Sequence, residues 1–186
     1  MPGHSTLLSL AEAALEVCPD APRRVYRPKF YAGLDLGQRR DHSALATLER
    51  RQASGTIIIR SLTRFPLGTS YEDIFELVQA TCFQNQLLSL DAAGPGLPFL
   101  DRFRRQNQPV RGVIITRGRT VRTLRGGCIA IPRSRLLGDL FSALHSGKLA
   151  ASTALPNAAL LQRELCGRTK HDDLAIAVAL ALNAAI

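Results

Sequence analysis

Tryptophan is absent from this chain of 186 residues, and aromatic residues make up only 5% of it, so a core must rest on Leu, Ile, Val and Ala. The four cysteines, Cys18, Cys82, Cys128 and Cys166, lie far apart and form no CxxC pair. No histidine is spaced as a ligand beside them, which argues against a zinc site and for reduced thiols. The longest apolar run, Leu174 to Leu182, is far short of the ~20 residues of a membrane span, so no membrane partner is expected. No basic segment followed by an apolar one opens the chain, so no secretory signal is read and a cytoplasmic location is expected. Neither GxxxxGKS nor GxxxxGKT occurs, which excludes a P-loop motor. Finally, there is no acidic residue between Asp101 and Asp139.

That last gap holds ten arginines: Arg102, Arg104, Arg105, Arg111, Arg117, Arg119, Arg122, Arg125, Arg133 and Arg135. Over the whole chain 24 Lys and Arg face 15 Asp and Glu, a formal charge of +9, with a pI near 10.3. Such an excess favours a polyanionic partner, because phosphate contacts release condensed counterions. Arginine in particular suits forked contacts with phosphate oxygens. A solvated face kept for solubility is the plainer alternative.

Residues Leu7 to Val17 carry apolar side chains at helical spacing, and Ala21 to Lys29 is basic and proline-containing. The chain therefore divides into an N-terminal helix and linker, residues 1–29, and a compact domain, residues 30–186. In that domain Phe30–Leu36, Ser43–Leu48 and Thr56–Leu62 read as three strands in hairpin succession. Helix Tyr71–Thr81, strand Leu87–Leu90, helix Pro98–Gln106 and strand Arg111–Thr116 follow. Helices over Ser134–Ser146, Asn157–Leu165 and Asp172–Ala185 complete the domain. Antiparallel strands first and parallel crossovers later imply a mixed sheet. The order matches an α/β fold of ribonuclease H-like type: a mixed five-stranded sheet flanked by helices, with strands one and four as neighbours.

Three acidic stations stand out against that outline. Asp35 lies in Gly33-Leu34-Asp35-Leu36-Gly37 and Asp91 in Leu90-Asp91-Ala92-Ala93-Gly94, each after a short apolar run. The pair Asp172-Asp173 opens an Ala-rich helix that is apolar on nearly every side and must be buried. A carboxylate at the end of buried structure costs several kcal/mol of desolvation unless a positive charge meets it. Three that converged would repel one another until a cation sat between them, and hard divalent cations bind through carboxylate oxygens. Gly33 and Gly37 are expected to leave room beside Asp35 for an ion or a substrate. Each acid also has a structural reading: Asp35 and Asp91 as turn or cap residues, Asp172 or Asp173 as a complement to the helix dipole.

Four blocks taken in order resemble the nuclease domain of phage terminase large subunits. They are Gly33 to Asp41, Leu90 to Gly96, Ile131-Pro132-Arg133-Ser134-Arg135-Leu136-Leu137, and His171-Asp172-Asp173-Leu174-Ala175-Ile176-Ala177. The resemblance covers roughly Phe30 to the C-terminus. It implies a ribonuclease H-like endonuclease that cuts concatemeric viral or prophage DNA for packaging in a bacterial host. Carried over by position, Asp35, Asp91 and Asp173 would be catalytic and bind two Mg²⁺ or Mn²⁺ ions, with Asp172 a second candidate at the third station. One ion would activate a water and the other stabilise the leaving 3′ oxygen. Double-stranded DNA would be held by Arg39, Arg40, Arg117, Arg119, Arg122, Arg125, Arg133, Arg135 and Lys170.

Two departures qualify that resemblance. The missing P-loop means that this chain cannot itself translocate DNA, so a separate packaging ATPase, a small terminase subunit or a portal would be its partner. The family also has a longer segment, forming a hairpin beside the site, before its His-Asp-Asp block, where only Cys166-Gly167-Arg168-Thr169-Lys170 stands here. A Holliday-junction resolvase-like nuclease and a catalytically silent DNA-binding or packaging remnant are the alternatives. An actin-like or sugar-kinase ATPase, suggested by Gly33 to Gly37 alone, needs two duplicated domains that 186 residues cannot hold.

Overall fold

The computed structural model describes residues 29–37, 41–82 and 86–186. The expected helix Leu7–Val17, most of the linker, and the loop residues Arg39 and Arg40 lie outside these. Alternating apolar residues build strands β1 (Lys29–Asp35), β2 (Ala44–Arg50) and β3 (Ile57–Arg64), paired antiparallel in succession. Helix α1 (Tyr71–Cys82) crosses to β4 (Gln86–Asp91), which pairs parallel with β1. Helix α2 (Gly96–Arg105) crosses to β5 (Val110–Thr116), parallel to β4. The five expected strands thus form the centre of the sheet in the expected directions.

The sheet is wider than five strands. Short β6 (Arg122–Thr123) and β7 (Ile129–Pro132) extend it beyond β5, and β8 (Leu149–Ala151) pairs with β3, giving the order β6-β7-β5-β4-β1-β2-β3-β8 among the described residues. Runs of two to four residues carry too little alternation for a sequence pattern to show. Helices α3 (Arg133–His145), α4 (Ala158–Leu165) and α5 (Asp173–Ala185) complete the fold, within one or two residues of their expected ends.

Alternation along β1 sorts its side chains onto two cores. Ala32 and Leu34 face a cluster with Ile74, Phe75, Val78, Leu100 and Phe103 of α1 and α2. Tyr31 faces the other cluster, with Leu136 and Leu140 of α3, Leu161 of α4 and every residue from Leu174 to Leu182 of α5. By the same parity Gly33 and Asp35 point toward α5. α5 is buried on all sides, as its composition requires, and its last carbonyls accept hydrogen bonds from arginines: Ala185 O from Arg50 at 2.8 Å and Asn183 O from Arg111 at 3.4 Å. Arg111, one of the ten arginines of the acid-free gap, therefore closes a helix end.

Gly33 is where helix and sheet approach most closely. A Cβ there would lie 1.9 Å from Ala177 O and 2.6 Å from Ala181 N. The room expected beside Asp35 is filled by α5 backbone, and at Gly37 by the backbone of Asp41 and His42. Both glycines serve packing. Gly33→Ala should destabilise the domain by about 3 kcal/mol, the upper end for an overpacked core, because backbone must move. Urea unfolding of the two proteins measures it.

Candidate metal centre

The parallel pairing of β1 with β4 matches Leu34 to Leu90, one residue before each strand ends at an aspartate. Asp35 and Asp91 are therefore neighbours at one end of the sheet. The antiparallel hairpins return β3 to the same direction as β1, so Arg64, opposite Ala44, also ends at that edge, since Ala44 in turn faces Asp35. The N-terminus of α5 sits above it and brings Asp173.

Electrostatics report the convergence. Burial raises the Asp35 carboxyl well above the ordinary range, and the charges of Asp91, Asp173, Asp172 and Asp41 push it further in the same direction. Asp91 is raised by burial, against hydrogen bonds from the backbone of Ala93 and Ile115. Asp173, only 7% exposed, is raised by burial and eased by Arg64, His171 and His42.

Among the described residues, however, no three His, Cys, Asp or Glu side chains are placed so as to enclose an ion together. Protein donors engage three of the four aspartates instead. Asp173 Oδ2 accepts from Arg64 at 3.2 Å. Asp172 pairs with Arg133. Asp91 Oδ1 accepts from the Ala93 amide at 3.0 Å, so its turn-residue reading is also realised. The side-chain ligands on offer are all carboxylates, and burial makes those of Asp35, Asp91 and Asp173 hold protons more readily than usual, a chemistry that fits a hard divalent cation.

Sequence reasoning missed three participants. Arg64 is one. Glu164, 6% exposed, is another: its Oε2 accepts the buried Ala175 amide of α5 at 2.9 Å, capping the helix from a neighbouring element. Asp172, the expected start of that helix, makes no side-chain cap. Asp41 is the third, paired with His171 at 3.0 Å and acting on Asp35. A signal existed for Glu164, which stands three residues after buried Leu161 on the apolar face of α4.

The expected DNA contacts divide. Arg117, Arg119, Arg122 and Arg125 stand in a run, residues 117–127, that is exposed throughout. This run leaves β5 at Thr116, the same sheet end as Asp91, because β4 and β5 are parallel. None of these four has an ion pair with a described residue. Exposed Arg135 bonds Asp139 at 3.0 Å on its own helix, and Arg133 holds Asp172. Lys170 is exposed. Arg102, by contrast, grips Glu72 through both nitrogens and lies 3.6 Å over the Phe75 ring, joining α2 to α1.

Comparison with solved structures gives the same architecture a context. The large terminase nuclease from thermophilic phage G20c with bound zinc aligns at 20% identity over 85% of this chain and 83% of that one, with a TM-score of 0.59. The P22 large terminase nuclease domain aligns at 9% over 89% and 84%, TM-score 0.59. The large terminase nuclease domain from bacteriophage SPP1 with bound Mn aligns at 13% over 85% and 87%, TM-score 0.57. This chain has the terminase nuclease fold. No protein-family model matches the sequence, and no curated protein does.

The raised carboxyls fix a sign. Each holds its proton more tightly folded than unfolded, so above the ordinary range near 4 the folded chain binds more protons and stability falls as pH rises. Metal-free protein should resist urea better at about pH 5 than at about pH 7.5, and Asp35→Asn should stabilise it at the higher pH and narrow that difference. An unchanged difference would mean that Asp35 is not under this electrostatic load.

Proposed function

We propose that this terminase-type fold is a divalent-metal-dependent DNA endonuclease that cuts viral or prophage DNA for packaging. The observation that carries the reading is the β1–β4 register, which ends two strands at adjacent aspartates beneath the first turn of α5. Bound metals in two proteins of the same fold, zinc in that of phage G20c and Mn in that of SPP1, support it.

In this reading Asp35, Asp91 and Asp173 hold two Mg²⁺ or Mn²⁺ ions, with Asp172 an additional ligand once Arg133 releases it. When bound, the ions supply activation of the attacking water and stabilisation of the leaving oxygen in an in-line displacement. The chain's own part is orientation and charge. β1 and β4 fix Asp35 and Asp91 on a buried edge, and α5 sets the third carboxylate against them. The carboxyls must shed protons that burial makes them hold, so ion binding strengthens as pH rises. The exposed arginines from Arg117 to Arg125 grip the backbone of double-stranded DNA beside that edge, with Arg135 and Lys170 flanking, and Arg133 when it is freed from Asp172. Arg39 and Arg40 belong to the same basic set by sequence. The chain's proposed partners are a packaging ATPase, a small terminase subunit or a portal, in the bacterial host cytoplasm.

A silent DNA-binding remnant is the competing reading, favoured by the arginines that occupy Asp172 and Asp173. Plasmid incubated with the protein and Mn²⁺ separates the two. Nicking or cutting that falls to the no-protein background in Asp35→Asn supports the nuclease, and equal cleavage by that variant removes Asp35 from the chemistry. On duplex DNA, changing Arg117, Arg119 and Arg122 together to Ala should flatten the slope of log affinity against log salt by about 0.9 per lost phosphate contact. An unaltered slope would place the DNA elsewhere.

A further inference from the structure

Arg64 makes one hydrogen bond to the described residues although its guanidinium offers five donors. A nitrogen of its fork reaches Asp173 Oδ2 at 3.2 Å, while Nε is buried without a partner. Glu164 mirrors it: Oε2 caps Ala175 at 2.9 Å, the Leu174 amide also eases the carboxylate, and Oε1 is buried without a hydrogen-bond partner among the described residues. The two side chains come from β3 and α4 and feel each other's charge, and Glu164 also feels Asp173. A charged donor and a charged acceptor, each orphaned in the same buried neighbourhood, are costly to leave unmade. They are also complementary.

We infer that Arg64 exchanges partners: it neutralises Asp173 in the metal-free protein and moves its Nε–H onto Glu164 Oε1 when a divalent cation takes Asp173. One ion pair breaks as another forms, so the site never leaves the guanidinium or the carboxylate uncompensated. Without Glu164, a cation arriving at Asp173 would leave the partly buried Arg64 guanidinium with no carboxylate partner beside a like charge. Glu164 is thus a positioning residue in two ways. It fixes the first turn of α5, and it supplies the second berth for Arg64. The inference rests on the metal reading above, since it concerns what Asp173 releases when an ion binds.

The test is a double-mutant cycle on Mn²⁺ affinity, measured by calorimetry on wild type, Arg64→Ala, Glu164→Gln and the double variant. The glutamine keeps an acceptor for the Ala175 amide and removes the charge that receives Arg64. Glu164→Gln should weaken Mn²⁺ binding roughly tenfold in wild type and by less than about twofold where Arg64 is already absent, a coupling of the size seen between groups in contact. Equal weakening in both backgrounds would show that Glu164 acts only through general charge, and no weakening in either would remove it from the site. If the wild-type protein binds no Mn²⁺, the metal reading itself fails and the exchange with it. A second measurement needs no change at Glu164. On adding Mg²⁺, the NMR signal of one arginine Nε–H, identified by its loss in Arg64→Lys, should become protected from solvent exchange. An Arg64 signal unmoved by Mg²⁺ would overturn the exchange.

Discussion

Like charges held together at a buried sheet edge are the constraint on which the rest of the molecule depends. Backbone pairing between β1 and β4 is indifferent to the side chains at its end, yet its register sets Asp35 beside Asp91. Both carboxyls lose water there, and Asp35 also meets the charges of Asp173, Asp172 and Asp41. Packing against α5 prevents the strands from easing apart, because Gly33 already brings helix and strand backbones into contact. The repulsion is therefore held by hydrophobic burial elsewhere in the domain. A fold that stores unfavourable electrostatics in one place is poised to take up positive charge there.

Arginines of the described residues stand in three different settings. Arg50, Arg102 and Arg111 work for the fold, at the end of α5 and between α1 and α2. Arg64 and Arg133 sit on the carboxylates of the third station. The exposed run from Arg117 to Arg125 carries no acidic residue and leaves the sheet at the same edge. Arginines of the acid-free stretch from Arg102 to Arg135 occur in all three settings, joined by Arg50 and Arg64 from β2 and β3.

The central architecture was legible because it rests on long-range pattern. Three hairpin strands followed by helix and strand leave few topologies, and within them strand four must lie beside strand one, which makes the meeting of Asp35 and Asp91 deducible. Three features escaped. β6, β7 and β8 are too short to show alternation. Gly33 looked like space for a ligand and is space for a helix, since a glycine in a strand does not say which neighbour fills its gap. Arg64 and Glu164 belong to no motif. Each is a single charge at the edge of an apolar element, and its meaning comes from residues more than ten positions away.

The most direct test of the account is anomalous diffraction from crystals of the protein soaked in Mn²⁺. The account predicts manganese peaks at Asp35 and Asp91, with the Asp173 side chain turned away from Arg64. Peaks confined to other surfaces, or an acidic edge left without manganese at saturating concentration, would contradict it.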